Sequence, residues 1–439
     1  MGHSHAHILD PARDGAGPQG PRPPASNRRA NLLLALILLP VAVATVVGMV
    51  LLWPSGDRSH LAVSDPWATA PGVRFDVGTV QRVATEACPS SQPAVAAGAA
   101  AQECMVAYTQ PEAGGAEVAV EVTPEIVKSR GVEAGDTIRY LNLSRVMPEQ
   151  DGTFVFVDFV RSTPIVLLAV LYAVVVVAVA RWRGLRALLG LAGAYAVMAM
   201  FILPGLVEGK PPLLLGLVGS VVIMIGVLYF AHGFSARTST ALLGTLFGLG
   251  VTALLGAWAT DAAYLIGVGD EDTYQLVNMG DQISLSGIIM CGLIISGLGV
   301  LNDVTITQSS AVWEMYELAP GVSTRRLFAG AMRVGRDHIA STVYTIAFAY
   351  AGAALPVLIL VSLYERPLFD TLTSGELAEE VVRTLVGSVG LVLAIPMTTL
   401  VAVLVVKAMG IRNPETGQDA AAAGTGRPPG RRGRRRLDA

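Results

Sequence analysis

Ile165-Val166-Leu167-Leu168-Ala169-Val170-Leu171-Tyr172-Ala173-Val174-Val175-Val176-Val177-Ala178-Val179-Ala180 lies between Arg161 and Arg181 and contains no charged residue. A helix that is apolar all round has no face to offer water, and a bilayer core of about 30 Å takes roughly 20 such residues. The stretch therefore reads as a membrane span, 164–181. Windows of the same kind at 31–53, 185–203, 211–231, 239–259, 283–301, 339–363 and 384–407 bring the expectation to eight. Composition agrees: 52% of the 439 residues are hydrophobic and 15% charged, with a mean hydropathy of +0.55. Soluble domains carry about 25% charged residues, so a soluble enzyme is excluded. The expected fold is mostly α, a polytopic membrane bundle of about eight transmembrane helices. A small extracytoplasmic β-barrel-like domain is expected between helices 1 and 2.

The first span, 31–53, follows Arg28-Arg29 and is too long for a signal-peptide core. It lacks a small-x-small cleavage site before Trp53-Pro54, so it reads as an uncleaved anchor. Eight spans starting inside leave both termini in the cytoplasm. Segments then assigned to the inside hold 20 Lys/Arg against 9 Asp/Glu, and those outside hold 11 against 25. The short loops carry the signal: Arg181, Arg183 and Arg186 mark one inner loop, and Arg325, Arg326, Arg333 and Arg336 another. The outer loop with Asp261, Asp270, Glu271, Asp272 and Asp281 has no Lys or Arg. The expected setting is the inner membrane of a bacterial cell.

Residues 1–30 are Pro- and Gly-rich and expected to be a disordered cytoplasmic segment, as is the tail 413–439. The tail ends in Arg431, Arg432, Arg434, Arg435 and Arg436. Such a run draws anionic lipid at about 1 kcal/mol per charge, or serves only as a solvated tail. His3, His5 and His7 alternate near the start. Imidazoles so spaced can hold zinc, nickel or copper, and the alternative is a tract with no metal role.

Residues 57–160 form the one polar stretch long enough to fold in water. Alternation at 73–77, 104–108, 118–122, 137–141 and 154–157 predicts about five short strands, an OB-like barrel or a sandwich, with a tight turn at Gly135-Asp136. Cys88 and Cys104 lie here, and outside the cell thiols tend to oxidise. A disulfide between them is expected, with two free thiols as the alternative, while Cys291 is a packing residue within a span.

Chemistry concentrates between 296 and 352. Asp303 follows Gly297, Gly299 and Asn302 at the inner end of the sixth span, and Gln308 and Glu314 come next. Asp337-His338 opens the seventh, with Thr342, Thr345 and Tyr350 beyond. Ionisable groups inside a membrane cost several kcal/mol unless they face a partner or water. These residues are candidates for an ion or substrate pathway, with Asp303, Asp337 and His338 as a proton relay. Alternatively, Asp303 caps a helix while Asp337 and His338 sit among headgroups beside Arg336. Residues 308–335, with Ala311, Val312, Met315, Leu318, Leu327, Phe328 and Met332 at helical spacing, are expected to lie on the inner interface. A break is predicted at Pro320-Gly321, with Ser323-Thr324 starting the next helix. Small residues at Gly216/Ser220, Gly244/Gly248, Gly248/Thr252 and Gly292/Ser296 allow close helix approach, and Pro356 and Pro396 can kink their spans.

The run Gly299-Val300-Leu301-Asn302-Asp303-Val304, Gln308-Ser309-Ser310-Ala311-Val312-Trp313-Glu314, Gly335-Arg336-Asp337-His338-Ile339, Ala349-Tyr350-Ala351-Gly352 and Leu355-Pro356 resembles the YibE/F family of bacterial multipass membrane proteins. The likeness covers most of 160–408 and is most specific in 299–356. It implies a permease-like inner-membrane protein and supplies no substrate. A fainter likeness to RND-type permeases, including the SecD/SecF subunits, rests on Asp303, Glu314, Gly321-Val322-Ser323 and Thr342/Thr345. Seven spans after the outer domain depart from the five of an RND half.

The reading is a permease or exporter of a small solute or ion, with proton coupling as its mechanism. The alternative is a non-transporting accessory protein whose external β-domain binds an envelope partner. HExxH, GxSxG and P-loop motifs are absent from the sequence, and no enzymatic activity, cofactor or nucleic acid is expected. The expected partners are the lipid bilayer, and a second copy of the chain or an envelope protein.

Overall fold

The computed structural model describes residues 28–56, 73–88, 103–145, 154–267, 276, 283–363 and 367–409. His3, His5 and His7, the acidic residues 270–272 and 281, and the terminal arginines lie outside the described residues. The chain divides into two units, 56–192 with 271–283, and the remainder.

The first unit contains strands β1 (Arg74–Ala87), β2 (Glu103–Pro111), β3 (Val118–Val122), β4 (Thr137–Asn142) and β5 (Phe154–Phe159). They form a small mixed sheet in the order β1-β2-β3-β5-β4. β1 is also paired with β4, which closes the ring of pairings, and β3–β5 is its parallel pair. β1 serves two neighbours because it bends. Its first half pairs with β4 and its second with β2, and the register slips between Val80 and Arg82 as a bulge does. At that bend Gly78 passes close to β2, where a Cβ would lie 2.6 Å from the Gln110 carbonyl oxygen. All five expected strands are present, though β1 runs ten residues beyond its expected end at 77. The Gly135-Asp136 turn is also present. Gly135 adopts φ +97, its N–H donates to Val80 at 2.7 Å, and the Asp136 carboxylate accepts from Glu133 N–H. Val80, Ala107, Val120, Val122, Ile138, Tyr140 and Phe156 fill the interior. A short helix α2 (Pro124–Ser129) joins β3 to β4.

The helices that follow are α3 (Ser162–Val197), continued through one wide turn at 198–202 into α4 (Leu203–Val207), then α5 (Pro212–His232), α6 (Ala236–Ala262) and α7 (Leu285–Ser296). Next come α8 (Leu298–Leu318), α9 (Thr324–Ala353), α10 (Leu355–Ser362), α11 (Leu368–Leu372) and α12 (Gly375–Met409), with α1 (Arg28–Leu51) at the front. Serine hydroxyls cap three of them: Ser235 accepts from Thr238 N–H, Ser284 from Gly287 N–H and Ser323 from Arg326 N–H.

Among the described residues six helices are long and apolar enough to cross a membrane, or seven if α9 and α10, bent by 67° at Ala354, make one span. That is one or two fewer than the expected eight. Residues 162–207 form a single 46-residue apolar run where the sequence suggests spans at 164–181 and 185–203. The run is not straight. Arg181 has φ 53 and ψ −132, and a Cβ on Gly184 would lie 2.5 Å from the Val176 carbonyl oxygen. Eight residues of straight helix would separate those positions by about 12 Å, so the chain folds back at Arg181. Gly184 is where the returning helix needs no side chain.

In the second unit α6 and α12 pack antiparallel through small residues. Gly244 meets Thr398, Gly248 meets Ala394 and Gly390, and Thr252 meets Gly390. Steps of four on both helices keep these residues on one face, which lets the backbones approach. The expected small-residue pairs on α6 are thus used, against partners on α12. Gly216 on α5 lies against Cys291 on α7, where the buried thiol fills space between the two helices. Pro396 lies inside α12 without ending it, and Pro356 sits in the first turn of α10, just after the bend.

The 308–335 region, expected as helices on the inner interface, belongs to a hairpin of α8 and α9 packed on α12. Val312, Tyr316, Leu327 and Ala331 are buried with Ala402, Val403 and Val406. The predicted break holds, with Ala319–Val322 between the helices and Ser323 capping the second. Lys407 secures the turn: its ammonium donates to the Val322 carbonyl and sits 4.8 Å from the Tyr316 ring centroid.

Candidate functional site

One face of α8 organises the polar residues of the bundle. Leu298, Leu301, Val304, Thr305, Gln308, Ser309, Val312 and Tyr316 are its buried positions. Three- and four-residue steps put them in one stripe. The ends of the stripe are apolar and its middle is polar. There the Thr305 hydroxyl meets the Thr245 hydroxyl of α6 at 2.7 Å. Gln308 Nε2 donates to Thr399 Oγ1 of α12 at 2.7 Å and to the Ala331 carbonyl of α9 at 3.0 Å. Ser309 Oγ donates to the Arg237 carbonyl at 2.9 Å, at the start of α6. Four helices are tied together at one level. Gly335 makes room for this: a Cβ there would stand 3.2 Å from Gln308 Oε1 and 2.7 Å from Ile395.

Asp303 and His338, on α8 and α9, come together with Oδ2 and Nε2 3.8 Å apart. The Asp303 side chain is 71% exposed and that of His338 31%. His338 Nε2 and the Asn302 Oδ1 beside Asp303 are buried atoms without a hydrogen-bond partner. The sequence thus named two residues the fold joins, and it also named residues the fold keeps apart. The hydroxyls of Thr342 and Thr345 donate within α9, to His338 O at 2.8 Å and Ser341 O at 3.1 Å. In an apolar helix a threonine satisfies itself this way when no other partner is in reach. Glu314 is exposed and pairs with Arg237 at 3.7 Å. Asp337 is exposed, and Tyr350 packs half-buried against the cluster around Leu301, Val304 and Ile346.

The residues that sequence reasoning missed are Thr245, Thr305 and Thr399. Their signal was available: α6 and α12 are apolar enough to span a membrane, yet they bury Thr238, Thr240, Thr245, Thr252, Thr398 and Thr399. Ser220, Thr240 and Thr252 keep buried hydroxyls with no hydrogen-bond partner. A second missed group joins α1 to the turn after α4. The Glu208 carboxylate, 7% exposed, accepts from Ser55 N–H at 3.0 Å, and Lys210 donates to the Trp53 carbonyl at 2.9 Å.

In the sheet unit, the sulfurs of Cys88 and Cys104 are not bonded to each other. They stand side by side, and their sulfurs and a Glu121 carboxylate oxygen lie within 4.8 Å of one another. Burial, helped by Cys88 and the Glu121 charge, pushes the Cys104 thiol well above its ordinary range.

A model of the YibE/F-like protein family matches residues 168–408, more than half of the chain, and runs from the first turns of α3 to the last turn of α12. No curated protein and no solved structure matches the chain.

Proposed function

The chain belongs to the YibE/F-like protein family and is a multipass membrane protein, and we propose that it is a permease or exporter of a small solute or ion, coupled to protons. The observation that carries this reading is the Asp303–His338 pair, a carboxylate and an imidazole 3.8 Å apart on two different helices. A histidine can change charge near neutral pH, so the pair can hold or release a proton. Supporting it are the buried hydroxyls of Ser220, Thr240 and Thr252, which lack protein partners in helices otherwise packed with apolar side chains. Unsatisfied buried groups are costly, and water or a polar solute would satisfy them.

In this reading the fold-back at Arg181 and the bend at Ala354 each divide or complete a span, giving eight. The excess of Lys and Arg in the assigned inner segments then leaves both termini in the cytoplasm of a bacterial cell and the sheet unit outside. The test is flux of candidate solutes in proteoliposomes with and without a pH gradient. Asp303→Asn should abolish gradient-driven flux while the protein stays folded. Unchanged flux in a folded Asp303→Asn variant rejects the relay.

One observation favours the accessory reading. The ring order β1-β2-β3-β5-β4, with α2 between β3 and β4, is similar to the OB-like barrel, a small domain that binds other molecules through its strands and loops. A fold does not settle a function. If Asp303→Asn leaves flux unchanged, this reading takes the lead, and capture of an envelope partner by the sheet unit becomes its test.

A further inference from the structure

Three neighbouring strands bring two sulfurs and a carboxylate to one corner of the sheet. Cys88 directly follows the last residue of β1, Cys104 is the second residue of β2, and Glu121 lies in β3. The register explains the meeting. Glu86 stands opposite Cys104, and Val106 stands opposite Glu121. Side chains alternate with period two, so Cys88 and Glu121 are each diagonal neighbours of Cys104 on the same side of the sheet. Glu121 is the carboxylate whose oxygen lies within 4.8 Å of both sulfurs.

We propose that Cys88, Cys104 and Glu121 form a binding site for a thiolate-accepting divalent cation of the zinc class. With all three ligand atoms within 4.8 Å of one another, some point lies within about 2.8 Å of each. Zinc–sulfur bonds are about 2.3 Å and zinc–carboxylate bonds about 2.0–2.2 Å, so small side-chain rotations close the shell. Two thiolates and a carboxylate give three ligands, and water or an incoming ligand takes the fourth position of a tetrahedron. Binding releases the two thiol protons to solvent, and the divalent charge offsets two of the three negative charges it gathers. Cys88 is 3% exposed, and Cys104 is partly buried beside it. The site lies wholly in the sheet unit and stands or falls independently of the Asp303–His338 reading.

The test uses the full chain, reduced and in detergent under anaerobic conditions, titrated with Co²⁺. The expected result is one Co²⁺ per chain with a near-ultraviolet sulfur-to-cobalt charge-transfer band, displaced by Zn²⁺. Binding at His3, His5 and His7 would give no sulfur band, so the terminal tract cannot imitate the signal. Cys104→Ser should abolish the band. Glu121→Gln, which keeps both thiols countable and the fold checkable by circular dichroism, should weaken binding about tenfold or more. No band at one equivalent, or a band that survives Cys104→Ser, overturns the proposal. So does finding both cysteines in a disulfide when the protein is taken from membranes without reductant.

Discussion

The interior of the sheet and the interior of the helix bundle are built on opposite principles. Val80, Val120, Ile138, Tyr140 and Phe156 fill the sheet, while exposed side chains such as Arg74, Arg82, Glu86 and Arg130 meet water. The bundle buries Thr245, Thr305, Gln308, Ser309, Thr398 and Thr399, and its helices expose Leu36, Leu39, Leu254, Phe348 and Leu404. A domain bathed in water folds by hiding apolar surface. Helices already in lipid gain little from that, and they associate through close backbone approach and interhelical hydrogen bonds. The Gly244/Gly248/Gly390 contact and the Thr305–Thr245 and Gln308–Thr399 bonds are those two devices.

The largest effect is expected where the sheet's apolar interior is cut. Ile138, fully buried between β1 and β5, should cost about 3 kcal/mol as Ile138→Ala, and the sheet unit should melt at lower temperature. Limited proteolysis should then cleave 73–160 and leave the helices resistant. Loss of both units together would break the comparison.

Gly248→Val should come next, at about 2 kcal/mol, because a side chain there meets Leu301, Ala394 and the Gly390 carbonyl. At Gly250, two residues along the same helix, a Cβ would have nothing within 4 Å, so Gly250→Val should leave the melting temperature in detergent nearly unchanged. Equal effects would show that close approach does not hold α6 to α12.

Thr305→Val sharpens the contrast with a smaller number. It removes one hydroxyl, while Thr245 still donates to Ala241 O, so the loss should be about 1 kcal/mol in unfolding in detergent. A loss as large as that of Ile138→Ala would make the polar stripe, rather than the glycines, the main attachment.

The smallest effect at neutral pH concerns Cys104, whose thiol pKa is raised by burial and by nearby Cys88 and Glu121. In the metal-free protein it should alkylate more slowly than a free cysteine. A raised folded pKa gives stability that is complete below the unfolded value, near pH 9, and lost as pH rises above it. Melting of the sheet unit should therefore be flat through neutral pH and fall in alkali, and the fall should shrink in Cys104→Ser.

The family match covers 168–408, and the resemblance was legible in 299–356 because those residues are unusual for a membrane helix. Asp303 and His338 were legible as unusual residues for the same reason, and the fold sets them 3.8 Å apart. The hydroxyls of Thr342 and Thr345 bond their own helix, and sequence does not say which way such a hydroxyl turns.

Local rules decided the elements themselves. Charge-free runs set the apolar helices, period-two alternation set the five strands, and Ser323 set the start of α9. Contacts between distant segments were decided only in three dimensions. The turn-back at Arg181 depends on one backbone conformation within an apolar run that gives no composition signal. The amphipathic 308–335 stretch could have met lipid headgroups, and its packing on Ala402, Val403 and Val406 required α12 to be there. Cys88 and Cys104 are sixteen residues apart in sequence, which suited a bond between two sulfurs. Glu121 joined them because β3 pairs with β2, and strand order is a property of the sheet, where hydrogen-bonded neighbours are chosen by the fold as a whole.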